Sequence, residues 1–502
     1  MRFIYKEKNG LPALAWCSIM TEGSDDIEVV VGNMVECRED YGFVSGVWDG
    51  SFKDFNFDKT TYSCCSGGKL CEGGVVFITP SHPQETLFAI RTNNRLFVSN
   101  SIPFILVMAN ESLDPNYYNY EYDLCSTILG IDKFVKNTHL QSGNRMLFFR
   151  CSKVFINREL TISEEYQQQR FSLSSFEDYK SYVSETLKRI ISNAQSLERK
   201  HKYGLVATIS RGYDACATCA LVKNLGCETT LSFINPAKYL SDDGREIARI
   251  MGYQNLLTGD GDEFLTCKDF EEAMYLCSGS SGVAFYCFER YTQGKILFEG
   301  ERGDSMWERL NPNVNDNLDF SYGNGLAQAA CGNEQHLHNN TIKIDVPLIG
   351  GRKWTDIARI SRSEEMKPWV VREHYDRPIA RRLVEDLGVP RASFGRSKMG
   401  AGVSLRFETL NSVGRKMSAK SHKDLLGWYK SLKRNRWKEI KAYINYYVNE
   451  FPLYINYLLG KMNIKLRVKG TFVGWSSSPT QQLLILWANE KMMEKYKQSL
   501  QQ

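Results

Sequence analysis

The chain has 502 residues, of which 42% are hydrophobic and 24% charged, and its formal net charge is +5. These are ordinary values for a globular protein, so they exclude a largely disordered chain, and the length suffices for two or three domains. No segment approaches the ~20 apolar residues of a membrane helix, and the start lacks the profile of a signal peptide. We therefore expect a cytoplasmic protein whose 14 cysteines are thiols.

The first part of the chain is predicted to be rich in β-strands. Residues 85–106 alternate in hydrophobicity like a β meander, with a turn at Asn93-Asn94. The most linker-like stretch is 164–177, which is polar and rich in Ser and Gln. We accordingly predict a first domain over residues 1–165.

The segment from Tyr203 to Gly226 is the most informative in the chain. Leu205–Ile209 has the composition of a buried parallel strand, 210–214 (SRGYD) is a polar turn, and 215–225 is a predicted helix with Gly226 at its end. A strand, a tight loop and a helix N-terminus form an anion site, because free N–H groups and the helix dipole converge there. The same pattern also occurs as an ordinary capped turn, and it lacks the Walker signature.

Two further segments repeat this arrangement of a strand followed by a polar turn. The strand predicted at 295–298 (KILF) leads into the acidic, glycine-containing turn 299–304 (EGERGD), with a possible helix start near Ser305. The strand predicted at 231–234 precedes a helix start at 241–246. In a parallel sheet such loops gather at the carboxyl edge, where ligands bind. Carboxylates from two strand ends are then suited to hold one Mg²⁺.

These segments carry a family resemblance. Residues 210–215 resemble the SGGxDS pyrophosphatase loop of the asparagine synthetase class, and 295–304 resemble its second motif, a strand followed by GEGxDE. Ser232-Phe233 with Asp242-Asp243 is similar to its SF…D stretch, and 394–400 (FGRSKMG) to its R-x-K-x-G segment. The order and spacing of the four motifs agree.

The resemblance implies ATP and Mg²⁺ as cofactors and assigns roles to individual residues. The residues implied to bind the nucleotide are Ile209, Ser210, Arg211, Gly212, Asp214, Ser232, Phe233, Ile234, Glu299 and Gly300. Mg²⁺ is assigned to Asp214 and Asp304, whose side chains we expect at solvent-facing strand ends. Glu301 matches the acidic residue linked to forming the acyl-adenylate, and Lys398 matches the lysine that steadies developing negative charge.

Three positions depart from the family pattern. Arg211 replaces a loop glycine, Ala215 replaces a serine that helps to hold pyrophosphate, and Ser305 replaces a glutamate. Arg211 either reinforces phosphate binding through a bidentate contact or crowds the loop. These departures leave open whether the loop permits turnover.

The N-terminal part resembles a glutamine amidotransferase domain without its nucleophile. Glutamine-using members of the class begin, after Met removal, with a cysteine, whereas this chain begins Met1-Arg2-Phe3 and its first cysteine is Cys17. Residues 85–106 and 140–149 are similar to segments of that domain. β-Lactam synthetases and lasso-peptide cyclases share this pattern, with an amine substrate in place of glutamine-derived ammonia.

The implied fold is α/β. Residues 1–165 form a degenerate amidotransferase-like β-sandwich of the Ntn type. Residues 166–430 form a parallel-sheet PP-loop ATP pyrophosphatase domain of the HUP-like kind, and 431–502 form a mainly helical extension.

The implied function is that of an ATP-dependent ligase. It adenylates a carboxylate, releases pyrophosphate and transfers the acyl group to an amine or ammonia. The acid is a small molecule, a peptide or a sugar. We expect no nucleic acid or membrane partner, and a homodimer is possible. The alternatives are a nucleotide-binding but catalytically impaired regulatory or partner subunit and, more remotely, a tRNA-modifying pyrophosphatase.

Other features favour structural roles. Cys216 and Cys219 form a CxxC on the predicted helix, where small core side chains are expected. His336 and His338, with Cys331 nearby, are predicted to lie in a solvated loop rather than at a metal.

Two segments near the C-terminus have helical patterns. The basic segment 415–441 contains Trp428 and Trp437 and is predicted to be a solvated helical surface with aromatic residues facing the core, with nucleic-acid binding or contact with an acidic partner as alternatives. Residues 477–496 predict a docking helix, with Ser478 or Thr480 as its cap.

Overall fold

The computed structural model describes residues 1–167, 171–235, 242–266, 271–276, 280–321, 333–371, 375–394, 403–405, 408–462 and 478–502. The strands are β1 (Arg2–Glu7), β2 (Trp16–Thr21), β3 (Asp26–Val31), β4 (Glu36–Arg38), β5 (Gly42–Trp48), β6 (Ser63–Cys71), β7 (Gly74–Ile78), β8 (Leu87–Thr92), β9 (Arg95–Ser99), β10 (Asn137–His139), β11 (Arg145–Phe149), β12 (Ser152–Asn157), β13 (Ile162–Tyr166), β14 (Gly204–Thr208), β15 (Thr229–Asn235), β16 (Asn255–Asp260), β17 (Ser280–Ser281), β18 (Lys295–Glu299), β19 (Ile342–Asp345) and β20 (Val403–Ser404).

The α-helices are α1 (Ile102–Ala109), α2 (Tyr120–Cys125), α3 (Phe176–Ala194), α4 (Tyr213–Lys223), α5 (Arg245–Ile250), α6 (Glu271–Tyr275), α7 (Glu289–Thr292), α8 (Gly303–Met306), α9 (Glu334–Asn339), α10 (Trp354–Ser361), α11 (Pro378–Glu385), α12 (Ala419–Ser431), α13 (Arg436–Lys461) and α14 (Pro479–Gln501). The protein is thus mixed α/β with several sheets, as the sequence predicts.

Residues 2–166 supply two mostly antiparallel sheets. One has seven strands in the order β1-β3-β2-β9-β8-β11-β10, and the other has six in the order β13-β12-β7-β6-β5-β4. The predicted meander is confirmed for β8 and β9, which pair antiparallel around the turn after Thr92, whereas residues 102–109 are helical. Pro103 at the start of α1 fits the first turn of a helix and not a continuing strand.

The two sheets share one apolar core. Along β2, Trp16 and Met20 belong to this core, while Cys17 belongs to the larger core on the other face of the sheet. This alternation is the period of two that a strand imposes. Trp16 packs edge-on against Phe43 of β5, with ring centroids 4.9 Å apart. Aromatic contacts between inward-facing residues therefore hold the two sheets face to face.

A second unit of structure is a five-stranded parallel sheet in the order β16-β15-β14-β18-β19. The strands predicted at 205–209, 231–234 and 295–298 are its three central members. The chain leaves β14 in one direction toward β15 and later returns on the other side of β14 with β18. The loops after β14 and β18 lie at this switch point, which is where open parallel sheets bind ligands.

Helices cover one face of the parallel sheet. Helix α3 begins with a capping box, in which Ser175 Oγ accepts a hydrogen bond from the Asp178 N–H. Helix α4 buries Cys216 and Cys219 completely, so the prediction that this CxxC packs as core is confirmed. Gly226, three residues after the last residue of α4, has φ +92°, a conformation that glycine adopts without strain.

The C-terminal helices pack on both parts of the molecule. Helix α14 buries Leu483, Leu484, Leu486, Trp487 and Met492, as the docking-helix prediction requires. Its N-cap is at Ser478, as predicted, although the serine side chain makes no capping hydrogen bond. Within the described ranges, no helix combines the length and the hydropathy needed to cross a membrane.

Candidate functional site

The first predicted loop lies at the carboxyl end of β14. Ile209 is buried, and its N–H donates to Leu231 O at 2.9 Å, which ties the start of the loop to β15. Gly212 occupies the N-cap position of α4 with an extended backbone. The loop therefore delivers its backbone to the N-terminus of an eleven-residue helix, where an anion is stabilised by the helix dipole.

The second loop, after β18, lies directly against the first. A Cβ placed on Gly300 would lie 2.4 Å from the carbonyl carbon of Asp214, and one on Gly303 would lie 2.7 Å from Asp214 Cγ. Only glycine permits contacts this close. Arg302 between them has φ +68° and a buried side chain over the Phe320 ring. The tight turn thus brings the two loops together. Asp304 directly follows Gly303, whose backbone lies against the Asp214 carboxylate.

The two carboxylate oxygens of Asp214 differ in their contacts with the described residues. Its Oδ2 forms an ion pair with Arg377 Nη1, whose guanidinium is almost fully buried. Its Oδ1 is buried and has no hydrogen-bond partner among the described residues. The sequence predicted a solvent-facing carboxylate, and the partly buried pair corrects this prediction. An orphaned carboxylate oxygen in this position fits a hard cation, which is the ligand that Asp304 and Asp214 were predicted to share.

A segment after β15 covers the outer side of the first loop. Arg211 N–H donates to Asp242 Oδ1 at 3.0 Å, and Gly212 N–H donates to Ser210 Oγ at 3.0 Å. The pKa of Asp242 is raised by burial, which outweighs its hydrogen bonds from the loop. Two loop N–H groups are therefore already bound by side-chain oxygens of the protein. An incoming phosphate has to displace the Asp242 carboxylate.

The predicted adenosine strand has mixed side-chain roles. Ser232 is buried, and its Oγ accepts from Gly244 N–H at 2.9 Å, so it holds the segment that covers the loop. Phe233 packs against Phe288 with ring centroids 4.7 Å apart. Ile234 is exposed. Ser232 and Phe233 thus have structural partners, whereas the side chain of Ile234 has solvent access.

Next to the second loop is a buried charge cluster, which we call the Lys343 cluster: Lys343, Glu299, Glu301 and Asp345. Lys343 Nζ lies 3.0 Å from Glu299 Oε2 and 3.4 Å from Asp345 Oδ1, and it also contacts Glu301. The three carboxylates lie within 4.8 Å of one another. Burial raises the pKa of Asp345 well above its ordinary value and also raises the pKa of Glu299, so the single ammonium does not face three full negative charges.

Electrostatics within the Lys343 cluster fix the charge states. Burial would raise the pKa of Glu301, but Lys343 and Arg302 outweigh it and the pKa lies below its ordinary value. Burial would lower the pKa of Lys343, yet the surrounding carboxylates hold it well above the ordinary value. Glu301 is therefore an ionised carboxylate fixed by a permanent ammonium, suited to electrostatic work and unsuited to donating a proton at neutral pH.

Two histidines and a glutamate border the cluster. Burial, reinforced by Lys343, lowers the pKa of His82 and of His336 to about 3, so both are neutral imidazoles. Neither ring nitrogen of His82 has a hydrogen-bond partner among the described residues. Burial raises the pKa of Glu85 to about 7. The His82–Glu85 segment precedes β8, so the first part of the chain contributes to the surroundings of Glu301.

The structure brings most of the predicted site residues to one edge of the parallel sheet. Residues 209–214, 232–234, 299–301 and Asp304 all lie at the carboxyl ends of β14, β15 and β18 or in the first turns that follow. Lys398 lies outside the described residues, as does Arg396.

Sequence reasoning missed three charged residues of this region: Asp242 as a loop acceptor, Arg377 and Lys343. Arg377 is at the N-cap of α11, just before Pro378, a pattern that marks a helix start and draws attention to a charged residue there. Lys343 and Asp345 lie two residues apart on β19, a strand of four residues that is too short to give a clear pattern in the sequence.

Two further predictions need correction. His336 and His338 lie on helix α9 and are partly buried, so the predicted solvated loop is wrong. Trp437 is 80% exposed, so the prediction that it faces the core is wrong, whereas Trp428 is buried as predicted.

Cys17 is completely buried in β2, and burial raises the pKa of its thiol, so it cannot replace a terminal nucleophile.

Comparisons with models of protein families and with curated proteins yield no match to this chain.

Proposed function

We propose that this protein is an ATP-dependent, amide-forming ligase that resembles the asparagine synthetase class. The observation that carries the proposal is the contact between the loops after β14 and β18. Through Gly300 and Gly303 it gathers Asp214, Asp304 and Glu301 beside a helix N-terminus at the switch point of a parallel sheet. That combination suits a nucleotide whose phosphates carry a cation.

The proposed reaction has two steps. A carboxylate oxygen of the acid attacks the α-phosphorus of ATP, and pyrophosphate leaves. An amine or ammonia then attacks the acyl carbon, loses a proton, and AMP leaves. The acid is a small molecule, a peptide or a sugar acid, and neither nucleic acid nor a membrane takes part. The need for ATP favours the cytoplasm.

Individual residues have distinct proposed roles. Ser210, Arg211 and Gly212 bind the phosphates, and Arg377 lies where it can exchange its Asp214 contact for a phosphate oxygen. The backbones of Ile209, Ile234 and Gly300 bind the adenosine. Glu301 orients the reacting groups from its fixed position beside Lys343, and we retain Lys398 as the proposed stabiliser of negative charge in acyl transfer.

Asp214 and Asp304 would hold Mg²⁺. The Oδ1 of Asp214, which is buried and has no hydrogen-bond partner in the described part of the chain, fits this assignment. The ion supplies charge neutralisation for the leaving pyrophosphate.

The finer architecture is part of the same proposal. We assign residues 1–165 to a degenerate Ntn-type amidotransferase-like domain and 166–430 to a PP-loop pyrophosphatase domain of the HUP-like kind. Residues 431–502 then form the helical extension. The shared core of the two N-terminal sheets and the five-stranded parallel order support this division.

A second candidate is a nucleotide-binding regulatory or partner subunit without turnover. It is favoured by the internal contacts of the loop, since Asp242 holds the Arg211 N–H and Arg377 holds Asp214. In this case the loop binds nucleotide weakly or in an altered manner.

The deciding experiment measures AMP and pyrophosphate released from Mg·ATP by the purified protein given pools of acids and amines. We expect release that Asp304→Asn and Asp214→Asn abolish. Asp214→Asn also costs stability, because it removes the partner of a buried guanidinium. Asp260→Asn is the matched control, because Asp260 is exposed at the carboxyl end of the neighbouring strand β16. Nucleotide binding without AMP formation under any substrate pool would favour the second candidate.

A further inference from the structure

Helix α13 exposes a continuous apolar stripe. Six large side chains between its first and fifth turns have exposed fractions between 48% and 80%. They are Trp437, Ile440, Ile444, Tyr447, Val448 and Phe451. We call this set the α13 stripe. An apolar patch of this size is unusual on a monomer and marks an interaction surface.

The spacing of the α13 stripe is that of a helix-pairing seam. Trp437, Ile440, Ile444, Tyr447 and Phe451 are separated by three, four, three and four residues, the repeat by which two helices pack along their length. At about 100° per residue the six side chains fall within an arc of roughly 100° on one side of the helix. The stripe is therefore a single straight surface.

The rest of the molecule holds α13 by a different side. Glu439 is buried and accepts hydrogen bonds from Tyr429 Oη at 2.7 Å and Arg434 Nε at 2.8 Å. Tyr443 Oη lies 3.5 Å from Thr480 Oγ1 of α14. These contacts fix the orientation of the helix and leave its stripe facing outward.

The area of the stripe fits self-association. An aromatic side chain contributes roughly 150–250 Å², so the six partly exposed side chains present roughly 600 Å² per copy. Two copies then cover roughly 1,200 Å², the lower end of the range for specific protein interfaces.

Charge decides the orientation. The exposed charges beside the stripe are Arg436, Lys438 and Lys441, all basic and all in the first two turns, whereas 442–451 exposes no charged side chain. A parallel pair would place the two basic ends side by side. An antiparallel pair separates them by roughly 20 Å along the axis, beyond the ~8 Å Debye length at physiological salt.

We propose that the α13 stripe is a homodimer interface in which the α13 helices of two copies pack antiparallel about a two-fold axis at Ile444. The symmetry opposes Ile444 to itself, Ile440 to Val448 and Trp437 to Phe451 in the second copy. An interface of this kind is self-complementary, as a two-fold axis requires. It is independent of the proposed ligase reaction.

The first test is the oligomeric state in solution. Sedimentation velocity of the full chain at 1–50 µM should show a dimer, and Ile444→Glu should shift it to a monomer with unchanged far-UV circular dichroism. Lys438→Glu is the matched control, because Lys438 is exposed on the same helix outside the stripe, and it should remain dimeric. A monomeric wild type, or a dimer that survives Ile444→Glu, overturns the interface.

The second test is cross-linking, which reports the geometry. Under mild oxidation Ile444→Cys should form a disulfide-linked dimer well above the wild-type background, and Lys438→Cys should not. Self-cross-linking of Trp437→Cys in place of Ile444→Cys would indicate a parallel pair and overturn the arrangement. Binding of a monomeric wild type to vesicles with 30% anionic lipid would assign the stripe to a membrane surface and overturn the dimer.

Discussion

Lys343→Met tests the electrostatics beside the proposed site most directly. The substitution keeps the apolar stem of the side chain and removes the ammonium that, among the described residues, contacts Glu299, Glu301 and Asp345. Three carboxylates that lie within 4.8 Å of one another then lack the positive charge of Lys343. At an effective dielectric constant of about 20, any two of these carboxylates that are ionised together repel by at least about 3.5 kcal/mol within that distance.

The folded variant relieves this repulsion by taking up protons. Protonating an ordinary carboxylate at pH 7 costs about 3–4 kcal/mol, since one pKa unit corresponds to about 1.4 kcal/mol. We therefore expect a loss of about 3–5 kcal/mol in the free energy of unfolding near pH 7, the range for breaking a buried ion pair. The carboxyl pKa values of the folded variant are raised, so the loss shrinks as the pH falls toward about 4.5.

The assay is urea-induced unfolding followed by tryptophan fluorescence at pH 7.5 and pH 5.0. Lys423→Met, at an exposed position of α12, is the control and should change stability by less than about 0.5 kcal/mol. Adding Glu301→Gln to Lys343→Met should restore part of the loss at pH 7.5. A loss below about 1 kcal/mol at pH 7.5, or an equal loss at both pH values, refutes the reasoning.

Three further predictions follow from single contacts. Gly300→Ala should lower the free energy of unfolding by about 1–3 kcal/mol and reduce any pyrophosphate release, because its Cβ would lie 2.4 Å from the backbone of Asp214. Gly427→Ala, in open space on α12, is the control and should not destabilise the protein. Equal melting temperatures for the two variants would contradict the close contact. In the folded protein His82 has a pKa of about 3 and is neutral. In the unfolded chain this histidine binds a proton below its ordinary pKa of 6.5, so the free energy of unfolding falls as the pH drops from 6.5 toward 3. His82→Gln should therefore weaken the loss of stability between pH 6 and 4.5 by about 2 kcal/mol in denaturant titrations, and an unchanged slope would argue against a buried neutral imidazole. Asp242→Asn keeps a side-chain oxygen that can accept the hydrogen bond from the Arg211 N–H, and it removes a negative charge beside the proposed phosphate loop. Calorimetry should therefore show about fivefold tighter Mg·ATP binding. Weaker binding would instead place Asp242 among the ligands of the cation.

The sequence was sufficient for the elements around the site. Leu205–Ile209, 231–234 and 295–298 are short apolar segments followed by polar, glycine-bearing turns, and each is a strand of the parallel sheet in the structure. This information is local, since a buried strand and the turn that ends it are specified by neighbouring residues. The buried stripe of α14 could be predicted for the same reason.

Long-range contacts were beyond the same reasoning. Asp242 is 31 residues from Arg211, Arg377 is 163 residues from Asp214, and Lys343 is 42 residues from Glu301. No pattern within a window of sequence encodes these pairings, because they arise when separate strand ends and helix starts meet. The predicted solvent-facing Asp214 and solvated His336 were wrong because burial depends on segments that pack over them.

The sequence by itself therefore determined where three of the five parallel strands lie, which loops end them and which residues those loops carry. The tertiary structure alone decided the charge environment of those loops, in which Arg377 binds Asp214, Asp242 covers the loop amides and Lys343 fixes Glu301. It also decided which face of α13 is covered and which is exposed. The physical reason is that strand and turn formation depend on adjacent residues, whereas the protonation state and accessibility of a side chain depend on every group that folding brings within a few ångströms of it.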